Sequence, residues 1–149
     1  MRGVMTMAGK TVNATVKMVD GMQLMGRADS GHPVIIDADL QVGGKDQGPR
    51  PMELVLMALG SCTSMDVISL LKKMRESLTG LEVTLSGKRA EEDPMVYTHV
   101  SVHYLLKGKG LSKDACKKVI DLSQEKYCSV LGMVSKTAKV EYDWEITEE

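Results

Sequence analysis

Phenylalanine is absent from this 149-residue sequence, and its only aromatic side chains are one tryptophan and four tyrosines. The core must be filled by other means, and twelve methionines supply flexible apolar volume. Excess charge of one sign is missing too. Nineteen Lys and Arg stand against twenty Asp and Glu, which argues against a nucleic-acid partner. Cysteine is sparse: three residues, an odd number without paired short spacing, fit neither a disulfide framework nor a zinc motif. In a reducing compartment such thiols are either buried apolar side chains or redox groups. The opening Met1-Arg2-Gly3-Val4-Met5 lacks the long apolar run of a signal peptide, so a cytoplasmic location is expected. The chain carries no formal charge from Leu54 to Met65. That run falls short of the about 20 apolar residues that span a bilayer, and no membrane partner is expected. The double glycine of Gly43-Gly44 lacks the spacing and Lys-Ser ending of a phosphate-binding loop. No cofactor and no metal is indicated.

What is present is organised around the stretch from Pro51 to Met65. Pro51 suits a first helical turn, where its missing N–H costs nothing. No further proline follows until Pro94, so one long helix is predicted, roughly Pro51 to Arg75. Its apolar positions fill every side, which predicts a core helix buried all round. Before it, Val12, Ala14, Val16 and Met18 alternate with polar or small residues, and Met22 and Leu24 resume the alternation after Asp20-Gly21, a strong hairpin signal. Ser30-Gly31 turns the chain again into Val34-Ile35-Ile36. Residues 42–50 read as an irregular, mobile loop. After the helix, which Thr79-Gly80 is expected to close, Leu81, Val83 and Leu85 form one strand and Val100, Val102, Tyr104 and Leu106 its hairpin partner. Between them, Lys88 to Pro94 reads as a charged turn. Ser112 is a good N-cap for a second helix with the stripe Ala115, Val119 and Leu122. A short third helix runs through Val134. Val140, Tyr142, Trp144 and Ile146 then alternate with charged residues in a last strand. The order β-β-β-α-β-β-α-α-β describes an α+β fold on antiparallel sheet, with residues 1–10 a loose extension and 11–149 a single domain.

Two cysteines stand out, 66 positions apart. Cys62 lies among small residues in Gly60-Ser61-Cys62-Thr63-Ser64, where another element can approach the thiol closely. Cys128 lies at or near the start of the short third helix, where unsatisfied N–H groups favour a thiolate. If the fold joins them, the pair could reduce a peroxide, one thiol passing to sulfenic acid and the other condensing with it to a disulfide. The alternative is that both are buried structural cysteines. Cys116, beside Val119 and Ile120, reads as packing. Asp66 stands one turn after Cys62 and shares its face; a polar group satisfied at a helix contact is one reading. His99 and His103 share a sheet face without an evident third metal ligand.

The segment from Pro51 to Cys62, followed far downstream by Glu125-Lys126-Tyr127-Cys128-Ser129-Val130, resembles the OsmC/Ohr family of osmotically inducible and organic hydroperoxide resistance proteins, and within it the YhfA-type branch. The likeness runs from about Val12 to the C-terminus. It implies an OsmC-like fold, an intertwined homodimer with long central helices between sheets, and a cysteine-based reductase acting on hydroperoxides. Carried over residue by residue, Cys62 is the peroxidatic thiol and Cys128 the resolving one. The family's glutamate ten positions before the first cysteine corresponds here to Met52, with Glu53 one residue later. One residue on a helix is a rotation of about 100°. For the family's arginine the candidates are Arg27 and Arg50.

Two functions follow. One is a thiol peroxidase that takes a hydroperoxide and is restored by an external dithiol, since the chain has no Cys-X-X-Cys of its own. The other is a non-enzymatic or redox-sensing protein that holds a small apolar ligand at the dimer interface. Met52 favours the second and the cysteine pair the first.

Overall fold

The computed structural model describes residues 9–149; the first eight positions of the expected N-terminal extension lie outside the described residues. The chain divides into two units, one up to Leu54 and one from Val55.

In the first unit, β1 (Ala14–Asp20), β2 (Gln23–Ala28) and β3 (Pro33–Ile36) form an antiparallel meander in that order. The turn after Asp20 is where the sequence signal put it, and Gly21 takes φ +58° there, a conformation free of steric cost only for glycine. Met18 stands opposite Leu24, and Leu24 opposite Ile36. Residues 42–50 are irregular as expected, yet tied down by hydrogen bonds. Asp37, 2% exposed, accepts backbone N–H bonds from Ala38, Lys45 and Gln47 at 2.8, 3.3 and 3.2 Å. Burial works to raise its carboxyl pKa, but these three donors and the Lys45 charge hold it below the ordinary value. The glycines are part of this loop's closure. A Cβ on Gly44 would lie 1.9 Å from the Ala38 carbonyl oxygen, and Gly43 takes φ +87°.

Helix α1 (Pro51–Lys73) starts in the first unit and continues through the second. Arg50 caps it, and the Glu53 carboxylate reaches back to the Arg50 N–H at 2.8 Å, one half of a capping box. The helix ends two residues before the expected limit. Arg75 takes φ +60°, and Glu76 N–H bonds the Leu71 carbonyl while Arg75 N–H bonds that of Lys72. That is a Schellman closure with arginine where glycine is usual. Thr79-Gly80 does not close the helix; both lie inside β4 (Leu78–Arg89).

The second unit carries the sheet β4-β5-β6, with β5 (Tyr97–Gly108) in the centre and β6 (Lys139–Glu148) on its far side. Pairing of β4 with β5 is antiparallel, but β6 runs parallel to β5, from His99 opposite Lys139 to Gly108 opposite Glu148. The sheet is therefore mixed, not antiparallel as the sequence suggested. A parallel partner needs a crossover, and α2 (Lys113–Leu122), a π-helical turn at Ser123–Tyr127, and α3 (Ser129–Val134) provide it. Val83, Tyr104 and Trp144 share one sheet face by register, and Val100, Val102, Tyr104 and Leu106 are buried there.

Five residues of α1, Leu59, Gly60, Thr63, Val67 and Leu71, are buried, a stripe at near four-residue spacing that packs toward this face. Gly60 permits the approach: a Cβ there would meet Leu85 Cδ1 at 2.6 Å. Burial all round is not observed in the single chain, since Met57, Met65 and Ile68 remain exposed, Met65 at 69%. By length and apolar composition alone α1 would cross a bilayer, with mean hydropathy 1.8 over its best window. The shortness of its uncharged run therefore excludes nothing by itself. The buried stripe with a hydrogen-bonded threonine is the mark of a helix packed on a sheet.

Candidate functional site

Three elements of the second unit converge on the cysteines. Cys62 projects from the third turn of α1, half-buried, with Asp66 one turn further along the same helix. The crossover supplies Cys128. Its N–H donates to the Ser123 carbonyl at 2.9 Å, five residues back, so the π-helical turn sets where the thiol emerges. Cys128 then serves as the N-cap of α3, its Sγ accepting the Leu131 N–H at 3.4 Å. The sulfurs of Cys62 and Cys128 and an Asp66 carboxylate oxygen lie within 4.8 Å of one another. Two thiols and a carboxylate fall one ligand short of a closed structural zinc site, and the closeness of the two sulfurs suits a redox pair.

The electrostatics of this cluster are those of a partly dry, anionic pocket. Cys128 is 5% exposed, and burial foremost pushes its pKa up to about 12. The Leu131 N–H opposes that rise, while Cys62 and the Asp66 charge add to it. At neutral pH Cys128 is a thiol. Burial likewise raises the Asp66 pKa, against the hydrogen bond from Ser123.

Behind Asp66 runs a hydrogen-bond chain that was not foreseen. Ser123 Oγ donates to Asp66 Oδ2 at 2.9 Å. Thr63 Oγ1 lies 2.7 Å from Ser123 Oγ and 2.6 Å from Tyr104 Oη, and Gln124 Nε2 donates to Tyr104 Oη at 2.5 Å. Each hydroxyl has one proton to give. With Asp66 ionised the sense of every bond is fixed: Gln124 to Tyr104, Tyr104 to Thr63, Thr63 to Ser123, Ser123 to Asp66. Thr63 and Ser123 are completely buried.

Of the remaining sequence candidates, Arg27, Arg50 and Glu53 belong to the first unit. Arg50 is held by three carboxylates, Asp39 at 2.9 Å, Asp46 at 3.0 Å and Glu53 at 3.4 Å, and its hydrogen bond to Asp39 foremost raises its pKa. Glu53 is engaged in that network and in the helix cap. Arg27 lies on β2, exposed, opposite Thr15 and Pro33. Cys116 is fully buried on α2, with burial and then the Glu76 charge pushing its thiol up; it packs, as its neighbours suggested. His103 pairs with Asp143 and Glu145 on the outer sheet face at 2.7 and 3.3 Å. A cavity of about 390 Å³ borders Cys128, lined also by Gln124, Glu125, Lys126, Leu131 and Tyr142.

A family model described as OsmC-like protein matches residues 44–143, a span that holds both cysteines and Asp66. The chain belongs to the OsmC-like family. It is 38% identical over 135 residues to the protein YhfA of Escherichia coli strain K12, covering 91% of this chain and 98% of that one. Among solved structures, a hypothetical protein from Aquifex aeolicus VF5 superposes with TM-score 0.82 at 28% identity, covering 94% of this chain and 98% of that one. The organic hydroperoxide resistance protein OhrB of Bacillus subtilis superposes with TM-score 0.62 at 16% identity over 93% and 100% of the two chains, which establishes the shared fold alone.

Proposed function

We propose that this OsmC-like protein is a cytoplasmic, cysteine-based hydroperoxide reductase, with Cys62 the peroxidatic thiol and Cys128 the resolving one. The observation that carries the reading is the approach of two thiols 66 positions apart in sequence, their sulfurs within 4.8 Å of one another. A disulfide at about 2.05 Å is then reached by local side-chain and helix-end adjustment. The Cys62 thiolate attacks the outer oxygen of the hydroperoxide. The O–O bond breaks, the alkoxide takes a proton and leaves as the alcohol, and Cys62 becomes a sulfenic acid. Cys128 attacks that sulfur, its proton leaves with the hydroxide as water, and an external dithiol reduces the disulfide. The organic hydroperoxide resistance for which the structural neighbour OhrB is named supports this choice of substrate class.

The working form is proposed to be a homodimer. Met57, Met65 and Ile68 on α1, and Val16 and Met18 on β1, are uncovered in the single chain; a second copy offers an equally apolar face to each of these.

Two observations favour the binding-protein reading: Arg50 is spent on three carboxylates, and the cavity beside Cys128 has room for a small molecule. The separating experiment is a thiol count and intact mass after one equivalent of an organic hydroperoxide, with hydrogen peroxide in parallel. Rapid loss of two protons' mass with a Cys62–Cys128 linkage supports the reductase. If both thiols stay reduced while free cysteine in the same tube is consumed, the reductase reading fails and the binding protein takes its place.

A further inference from the structure

A resolving cysteine must lose its proton to attack, and Cys128 sits where that is hard, only 5% exposed. One group is placed to take the proton. A carboxylate oxygen of Asp66 lies within 4.8 Å of both sulfurs. Its other contact is not a cation but the end of the hydroxyl chain Ser123, Thr63, Tyr104. A purely structural aspartate at this place would be served by any single donor. Here three hydroxyls and an amide line up in single file, each hydroxyl with its only proton committed toward the carboxylate. The line is reversible: once Asp66 holds a proton, it can donate to Ser123, and Ser123 and Thr63 can turn over in sequence.

We propose that Asp66 is the catalytic base that takes the proton from the Cys128 thiol when the Cys62–Cys128 disulfide closes, with the Ser123–Thr63–Tyr104 hydroxyl chain stabilising its charge and receiving its reorientation. The proposal rests on Cys128 being the resolving thiol. In the peroxide cycle, Asp66 accepts the proton as Cys128 attacks the Cys62 sulfenic acid, then gives it to the departing hydroxide, so that one water and one S–S bond form and Asp66 ends ionised. The raised pKa that burial imposes on Asp66 makes it a stronger base than an exposed carboxylate, as a proton acceptor requires.

The test separates this step from peroxide chemistry. Ellman's reagent, 5,5′-dithiobis(2-nitrobenzoate), loads a mixed disulfide on Cys62. Closure by Cys128 then expels thionitrobenzoate, whose release is followed by absorbance, and the proton stays with Asp66. The groups facing Asp66 that titrate are Cys62 on its own helix, Tyr104 from β5 and Cys128 at the start of α3. Asp66→Asn is expected to slow closure about 100-fold at pH 7, a typical general-base contribution, and to make its rate climb with pH in step with ionisation of Cys128. Ser123→Ala, which cuts Asp66 from the chain but leaves the carboxylate, is expected to slow closure about tenfold and to shift the wild-type pH profile. Closure in Asp66→Asn at the wild-type rate and with the wild-type pH profile overturns the proposal. So does wild-type closure in Ser123→Ala, which reduces the chain to packing. If hydroperoxide leaves wild-type thiols untouched while Ellman closure depends on Asp66, the peroxidase reading fails and the proton acceptor stands. Rescue of rate by moving Asp66→Asn to high pH excludes misfolding as the cause.

Discussion

Thr63→Val is the most informative single change in the core, because it removes one hydroxyl from the middle of the chain with almost no change in shape. Thr63 is completely buried and so is Tyr104. Without Thr63 Oγ1, the Tyr104 O–H has no acceptor, while Gln124 still donates to its oxygen. Ser123 keeps its bond to Asp66 and loses only an incoming donor. One buried unsatisfied donor costs about 1–3 kcal/mol, which for a chain near 150 residues corresponds to about 2–12 °C in Tm. Tyr104→Phe should cost less, about 0.5–1.5 kcal/mol, since Thr63 still donates to Ser123. In the double variant the orphaned hydroxyl is gone, so the loss should fall short of the sum by about 1 kcal/mol or more. Urea unfolding of the four proteins at one chain concentration measures this, with concentration fixed because association would add to stability. Additivity within about 0.5 kcal/mol, the usual result for independent sites, would refute the directed chain.

Two glycines should respond oppositely to alanine. Gly44→Ala forces a Cβ to 1.9 Å from a backbone oxygen and should cost at least about 3 kcal/mol. Gly60→Ala meets only the mobile end of Leu85 at 2.6 Å, and the helix-propensity gain of about 1 kcal/mol should leave its urea midpoint near wild type. His103 should titrate above its ordinary value, raised foremost by Asp143 and then Glu145, and Asp143→Asn should lower it in an NMR titration. Because the folded pKa is the raised one, the stability His103 contributes is full below its unfolded pKa and disappears as pH rises through the folded pKa. Asp37 has the opposite sign: its lowered pKa gives stability present above its unfolded value and lost as pH falls through the folded one. Asp37→Asn should remove that acid-range dependence and speed amide exchange at Lys45 and Gln47, whose N–H groups it holds.

The strands were legible because burial on one face writes a two-residue period into the chain, and β6 shows it at Val140, Tyr142, Trp144 and Ile146. The same period is silent about direction: a half-buried strand alternates whether its neighbour runs parallel or antiparallel. Ser112 was legible as a cap because capping is chemistry within three residues, and its Oγ does accept the Ala115 N–H. Arg75 was not, since an arginine in the left-handed region carries no local signature. Helix α1 read as apolar on every side, which is true of its composition; which sides one chain covers is a tertiary fact. The two cysteines stood out by their small neighbours and their place at a helix start, their peroxidatic and resolving roles came from the family resemblance, and Asp66 stood out by its spacing from Cys62. The chain behind Asp66 joins Thr63 to residues 41 and 60 positions away, and a threonine, a tyrosine and a serine so far apart look ordinary one at a time. A serine directly after the α2 stripe was the faint clue.

Cys128 closes α3 with the same sulfur lone pair that it would use in redox chemistry. Its oxidation state and the fraying of that six-residue helix are thus linked quantities, and linkage is reciprocal. Disulfide formation that drew the sulfur away from the Leu131 N–H would loosen the helix by some increment of free energy. Anything that steadies α3 in its present form then favours the reduced thiols by that same increment. The end of one short helix would in this sense gauge the oxidation state proposed for the cysteine pair, and hydrogen exchange at the Leu131 amide would read it without touching either sulfur.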